Sequence, residues 1–192
     1  MNILAVFGLL AGLLNIIAYI PYIRDTIKGE TSPNRTSWFI WTTLALISFF
    51  SQKSSGATWS LCFIAIQVLG PLTVFMLSIK RGEGGFEALD IFSLIGAIVG
   101  LLAWAVSGRP EMALYFNLSV DMFGVLPTLK KSYLDPSGET ISLYVLTVVA
   151  AVLAGLSVGK LSPILLLYPV YIFLADGAVL VALLTSPNRK GR

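Results

Sequence analysis

The sequence contains no histidine and a single cysteine, Cys62. The first absence removes the commonest metal ligand and the usual proton shuttle near neutral pH. The second leaves no partner for an intramolecular disulfide. Charge is scarce too: Asp, Glu, Lys and Arg make up 12% of the residues, about half the roughly 25% of a soluble domain. No phosphate-binding loop of the P-loop type is present. The amino terminus also lacks a basic n-region and an A-x-A-like cleavage site, so the first apolar run is expected to remain as a helix.

What fills the 192 residues is apolar chain, 56% of it hydrophobic. A helix needs about 20 apolar residues to cross roughly 30 Å of hydrocarbon. Seven runs approach that length, near 3–23, 36–52, 57–79, 88–107, 110–129, 140–158 and 161–185. They are continuously apolar rather than alternating, which argues for helices over strands. The expected class is an all-α integral membrane protein with seven transmembrane helices.

Lys and Arg are distributed unevenly among the connections. Arg24, Lys28, Arg35, Lys80, Arg81, Lys130, Lys131, Arg189, Lys190 and Arg192 fall on one side, and Lys53, Arg109 and Lys160 on the other. Ten against three is a positive-inside signal. It places the amino terminus outside and the carboxyl terminus in the cytoplasm, with a bacterial inner membrane expected from the short loops. The net charge of +3 follows from this topology and does not call for nucleic acid as a partner.

The chain also reads as a duplication. Asn15-Ile-Ile-Ala-Tyr-Ile-Pro21 in the first span parallels Asp121-Met-Phe-Gly-Val-Leu-Pro127 in the fifth. Basic residues follow each proline. With one gap, Glu30-Thr-Ser32 falls opposite Asp135-Pro-Ser137 and Ser37 opposite Ser142, while Gln67 pairs with Asp176. An odd number of spans per unit would invert the second copy on direct fusion, so a linker span restores parallel repeats. The expected arrangement is 3-1-3: residues 1–82 as the first three-helix bundle, 83–108 as the linker helix and 109–192 as the second bundle.

These features together resemble the PQ-loop superfamily, and within it the seven-helix SWEET-type transporters. The likeness rests on the 3-1-3 order, the paired Pro21 and Pro127, the outside amino terminus and the basic turns after each proline. Tyr22 and Thr128 stand where the glutamine of the motif would be, and spans 2 and 6 carry no proline. The resemblance implies alternating access by rocking of two three-helix bundles around one central site, with a sugar or similar neutral metabolite as solute. It implies no cofactor and no enzymatic activity.

Ionisable residues inside the membrane are costly and mark pathways, which singles out Asp121 and Asp176. Asn15 and Gln67, their counterparts in the first unit, are polar at similar depth. Amides and carboxyls supply both donors and acceptors, so the four suit a solute held between the bundles. Asn117 lies one turn before Asp121 on the same helix face. Either aspartate is also a candidate proton site. Trp41, Tyr19 and Tyr168 are candidates for stacking on the solute. Trp38 and Tyr133 are expected as anchors at the cytoplasmic interface, and Trp104 to face lipid. Pro21 and Pro127 are candidate hinges or gate elements, because proline removes a backbone hydrogen bond and kinks a helix. Gly8-x-x-x-Gly12 and Gly96-x-x-x-Gly100 permit close helix approach.

Two other classes were weighed. A receptor or accessory subunit on the same scaffold would place the important residues in cytoplasmic loops, 24–35 and 130–139. A paired-carboxylate intramembrane protease would use Asp121 and Asp176, but Val-Asp-Met-Phe-Gly and Ala-Asp-Gly do not supply its usual signature. A retinal protein lacks its lysine in the seventh span. The expected partners are therefore a small-molecule solute and the lipid bilayer, with homo-oligomerisation compatible with either.

Overall fold

The computed structural model describes residues 2–82, 88–159 and 161–188, and among the described residues every long element is an α-helix and none is a strand. In chain order these are α1 (Ile3–Lys28), α2 (Arg35–Ser54), α3 (Leu61–Arg81), α4 (Ala88–Ser107), α5 (Pro110–Leu134), α6 (Ile141–Leu156) and α7 (Pro163–Thr185). The surroundings of Gly96 and Gly100 and the side chains of Trp104 and Pro127 are not described, and Lys160 and the basic tail from Arg189 lie outside the described residues.

Local chemistry sets the helix ends. The Asn2 side chain accepts from the Leu4 amide at 3.1 Å, and that of Asn34 from the Ser37 amide at 3.0 Å, so both cap donors that a helix start leaves orphaned. Pro110 and Pro163 occupy first turns, where the missing N–H costs nothing. Gly29 closes α1 at φ 79°, a left-handed cap that glycine adopts without strain. Pro21 does not terminate α1. The helix continues past it for nearly two turns to Lys28, beyond the expected end at 23.

Side-chain ties fix the helix directions. Thr31 and Thr140 share a hydrogen bond of 2.9 Å, and Thr140 donates to Asp25 at 3.0 Å, joining the end of α1 to the start of α6. Lys131 donates to the Ser32 carbonyl at 3.2 Å, and Arg35 to the Ser78 carbonyl at 2.8 Å, bringing the ends of α5 and α3 to the start of α2. Ser186 donates to the Tyr133 carbonyl at 2.7 Å, adding the end of α7. At the opposite end, Gln52 donates to the Ile164 carbonyl at 2.8 Å, bringing the end of α2 to the start of α7. Thus α1, α3, α5 and α7 finish at one end, where α2 and α6 begin. That end carries Arg24, Lys28, Arg35, Lys80, Arg81, Lys130 and Lys131.

Packing follows the same pairing twice. α3 lies against both α1 and α2, and α7 against both α5 and α6. Across the middle, α1 packs on α6 and α2 on α5. α4 sits outside, against α5 and to a smaller extent α2. Two buried apolar clusters result. One, at the basic end, contains Tyr22, Trp38, Val74, Leu143 and Leu183. The other, toward the far end, contains Ala11, Phe63, Leu114, Ala154 and Ile172.

The outward surface is apolar. Leu13, Ile16 and Ile20 on α1, Leu69 and Met76 on α3, and Leu174 and Val181 on α7 are all exposed. Soluble monomers rarely expose contiguous apolar surface on this scale. Among the described residues, three helices, α1, α3 and α7, are long and apolar enough to cross a membrane, and α6 is apolar but only 16 residues long. At 1.5 Å per residue α6 spans about 24 Å, a few ångströms short of the hydrocarbon thickness. The fold is all-α and compatible with a membrane protein.

Candidate functional site

A cavity of about 70 Å³ lies near the centre, between the two apolar clusters. From the first half of the chain come Tyr19, Trp38, Trp41 and Gln67. From the second come Asn117, Asp121, Thr147, Tyr168 and Asp176. Seven residues expected from the sequence therefore meet around one space: Tyr19, Trp41, Gln67, Asn117, Asp121, Tyr168 and Asp176.

Asn15 is not among the lining residues. It is fully buried, and its amide reaches the Phe63 carbonyl at 3.5 Å, across the α1–α3 packing. Its counterpart Asp121 does face the cavity. Rotation of α1 against α3 turns Asn15 into a packing residue, so equal register in the two halves does not yield equal roles.

Tyr19, Gln67 and Asn117 are each positioned by a neighbour. The Tyr19 hydroxyl donates to Gln67 Oε1 at 2.6 Å, tying α1 to α3. Gly70 sits against the Tyr19 ring, where any Cβ would overlap it. Asn117 Nδ2 donates to the Leu44 carbonyl at 2.8 Å and to Ser48 Oγ at 2.6 Å, both on α2. Only an NH₂ can donate to that carbonyl, so the amide orientation is fixed and Asn117 Oδ1 is left free. That oxygen, Asp121 Oδ1 and Thr147 Oγ1 are all buried without a hydrogen-bond partner. Their residues are 3%, 9% and 1% exposed. Buried polar atoms are nearly always paired, so three orphans on residues that line one small cavity stand out.

Asp176 lies within electrostatic reach of Asp121. Tyr171 and Trp41 stand beside the Asp121 carboxyl, yet Asp121 Oδ1 and the Tyr171 hydroxyl both lack a partner at hydrogen-bond geometry. Among the described residues, no group of three His, Cys, Asp or Glu side chains is placed to hold a metal ion.

Trp38 corrects one expectation. It is 3% exposed and belongs to the core. Its ring meets Tyr22 at 5.0 Å and Trp41 at 5.0 Å, edge-on to the latter. This aromatic stack forms the cavity's wall on the basic side. Tyr133 is exposed, as an interfacial anchor would be. Tyr144 and Thr147, both cavity residues, were not singled out from the sequence. The repeat alignment that pairs Ser37 with Ser142 also pairs Thr42 with Thr147, and following it one helical turn further would have found the second threonine.

Beyond the aromatic wall, the basic end carries a polar cluster. Lys131 and Glu139 pair at 3.4 Å, with the Glu139 side chain 6% exposed. The Tyr144 hydroxyl donates to Glu139 Oε2 at 2.9 Å. Tyr144 thus touches the cavity with its ring and the cluster with its hydroxyl. Through Lys131 to Ser32, and through Thr140 to Asp25, the cluster bridges α1 and its loop to α5 and α6.

Compared with known proteins, the chain matches no family model, no curated protein and no solved structure.

Proposed function

We propose that the chain is a seven-span membrane carrier for a small polar solute, working by alternating access between two parallel three-helix bundles, α1–α3 and α5–α7, joined by α4. The observation that carries this reading is the central polar cavity, lined from both triples of helices and bordered by an apolar cluster on each side. The repeated packing order, with α3 and α7 each in the middle of its triple, supports the duplication. So does the common direction of α1 with α5, α2 with α6 and α3 with α7. The SWEET-type resemblance agrees with this arrangement and implies a sugar or another neutral solute, for which Gln67 and Asn117 would supply donors and acceptors.

On this reading the basic end faces the cytoplasm, and the Lys131–Glu139 cluster holds that end shut. Drug-sized solutes occupy pockets of about 300–1,000 Å³. The cavity of about 70 Å³ is several-fold smaller. The arrangement is therefore the closed state of a carrier whose bundles must part to load. Pro21, inside α1 at the basic side of the cavity, is placed to act as the bend in the first bundle.

Uptake into proteoliposomes tests the proposal. Labelled sugars, amines, amino acids and vitamins are offered with and without an inward proton gradient, beside Asp121→Asn and Asp176→Asn. Saturable uptake that either variant loses is the expected result. A folded protein that moves nothing on that panel would turn attention to the cytoplasmic loops and a receptor or accessory role.

A further inference from the structure

The cavity's lining has two carboxyls, Asp121 and Asp176, and no lysine or arginine among the described residues. A buried charge without a counter-ion is heavily penalised. A neutral sugar brings no positive charge to answer them, and an anion or a zwitterion brings a negative group with no cation to meet it. Protonation is one answer to such a pair, and a bound cation is the other.

Three further observations narrow its chemistry. Asp121 Oδ1, Asn117 Oδ1 and Thr147 Oγ1 are each buried and unpartnered, and their residues line the same small cavity. Asn117 cannot rotate to hide its oxygen, because its amide nitrogen is held by Leu44 and Ser48. An ammonium group, –NH₃⁺, carries three N–H donors and no acceptor. Aromatic side chains complete the lining, Tyr19, Trp38, Trp41 and Tyr168 among them, and rings of this kind attract a desolvated cation. We propose that the cavity binds the ammonium group of a small primary amine, with Asp121, Asn117 and Thr147 as its three acceptors. A quaternary ammonium would satisfy the rings but leave all three oxygens unmet. The volume of about 70 Å³ admits the ammonium head in the closed state and little more.

The inference deepens the carrier reading and uses the same site, so binding and flux are measured separately. Ethylammonium, tetramethylammonium, sodium and glucose are titrated calorimetrically into the purified full chain in lipid nanodiscs. Ethylammonium is expected to bind, tetramethylammonium at least tenfold more weakly, and sodium and glucose not at all. Thr147→Val removes one acceptor at nearly constant shape, and the loss of a hydrogen bond to a charged group is expected to weaken ethylammonium by about 10–100-fold. Thr147→Ser keeps the hydroxyl and is expected to restore binding, which a merely structural role for Thr147 would not predict. Should Asp121→Asn fail to fold, the threonine pair still carries the test.

Ethylammonium binding with saturable ethylamine uptake supports both the cation site and the carrier. Binding without flux supports the site and overturns the carrier. Binding of glucose but not ethylammonium overturns the cation inference and leaves the carrier standing. Equal affinity for the two ammonium ions overturns the three-acceptor geometry, and a protein that binds none of the probes overturns the site itself.

Discussion

Gly70 offers the sharpest test of how the cavity wall is built. An added Cβ would come within 2.5 Å of Tyr19 Cδ2 and Cζ, where carbon contacts rest at about 3.5–4.0 Å. The atoms belong to a ring packed between helices rather than to the tip of a flexible chain. In Gly70→Ala the ring must therefore move by about 1 Å. The 2.6 Å hydrogen bond to Gln67 would then stretch to about 3.6 Å, beyond hydrogen-bond range. Overpacking of this kind costs about 1–3 kcal/mol, and a typical lost hydrogen bond adds about 0.5–1.5. A total of about 1.5–4.5 kcal/mol corresponds to a fall in Tm of about 3–18 °C for a chain of this length. Thermal unfolding in detergent, followed by tryptophan fluorescence at one fixed scan rate, reads the loss. Tyr19→Phe removes the hydroxyl alone and should lose at most about 1.5 kcal/mol. Adding Tyr19→Ala to Gly70→Ala should cost less than the two single losses combined, because the clash is gone. A Gly70→Ala protein that melts with the wild type would refute the placement of Tyr19 against α3.

Other consequences follow from individual contacts. Asn117→Leu removes two hydrogen bonds to α2, and at roughly 0.6–1.7 kcal/mol each in a membrane protein it should destabilise by about 1–3 kcal/mol and abolish uptake; unfolding and flux assays on one preparation check both. Gly8→Ala should destabilise by about 1–3 kcal/mol, because its Cβ would lie 2.7 Å from that of Trp59. Gly12→Ala, with Cys62 Cβ at 3.3 Å, should be far better tolerated, and equal melting of the two variants would contradict the α1–α3 approach. Lys131→Met strips the buried Glu139 of its cation and should loosen the basic end. With Cys62→Ser and Ala175→Cys, it should raise the rate of thiol labelling from that side several-fold, and an unchanged rate would deny the cluster its gating role.

The helices were legible because their signal is length and continuity, which need no partner to recognise. Their ends were less so. α1 outruns its apolar stretch because Thr26 bonds back to the Tyr22 carbonyl at 2.8 Å and Gly29 supplies the cap, a local event that hydropathy does not register. The acidic pair was legible for a different reason, since a carboxyl in an apolar helix is too costly to be there by default. Trp38 shows where reading depth along a helix fails. A tryptophan one turn from Arg35 looks like an interfacial anchor, yet rotation of α2 carries its ring inward onto Tyr22. Asn15 fails in the same way, since depth was right and azimuth was not. Depth follows from residue count, whereas azimuth is set by which neighbour packs where, and that is tertiary information.

The difference between Asn15 and Asp121 also bears on how a duplicated scaffold acquires direction. On the proposed duplication the two residues began as equivalents, as did Gln67 and Asp176. In the first bundle both are now neutral: Asn15 Nδ2 donates to the Phe63 carbonyl while its Oδ1 stays unpartnered, and Gln67 accepts from the Tyr19 hydroxyl. In the second bundle both are carboxyls, and Asp121 keeps a free oxygen on the cavity. The positive charge of a bound ammonium would therefore be held by one bundle and only faced by the other. When the bundles part, the solute should stay with α5 and α7, and the neutral wall of α1–α3 should move away from it. That division lets a pseudo-symmetric frame release its load without breaking its strongest contact at both openings. Substitutions at Gln67 should then alter the rate of transport more than the affinity, whereas those at Asp121 should alter affinity first.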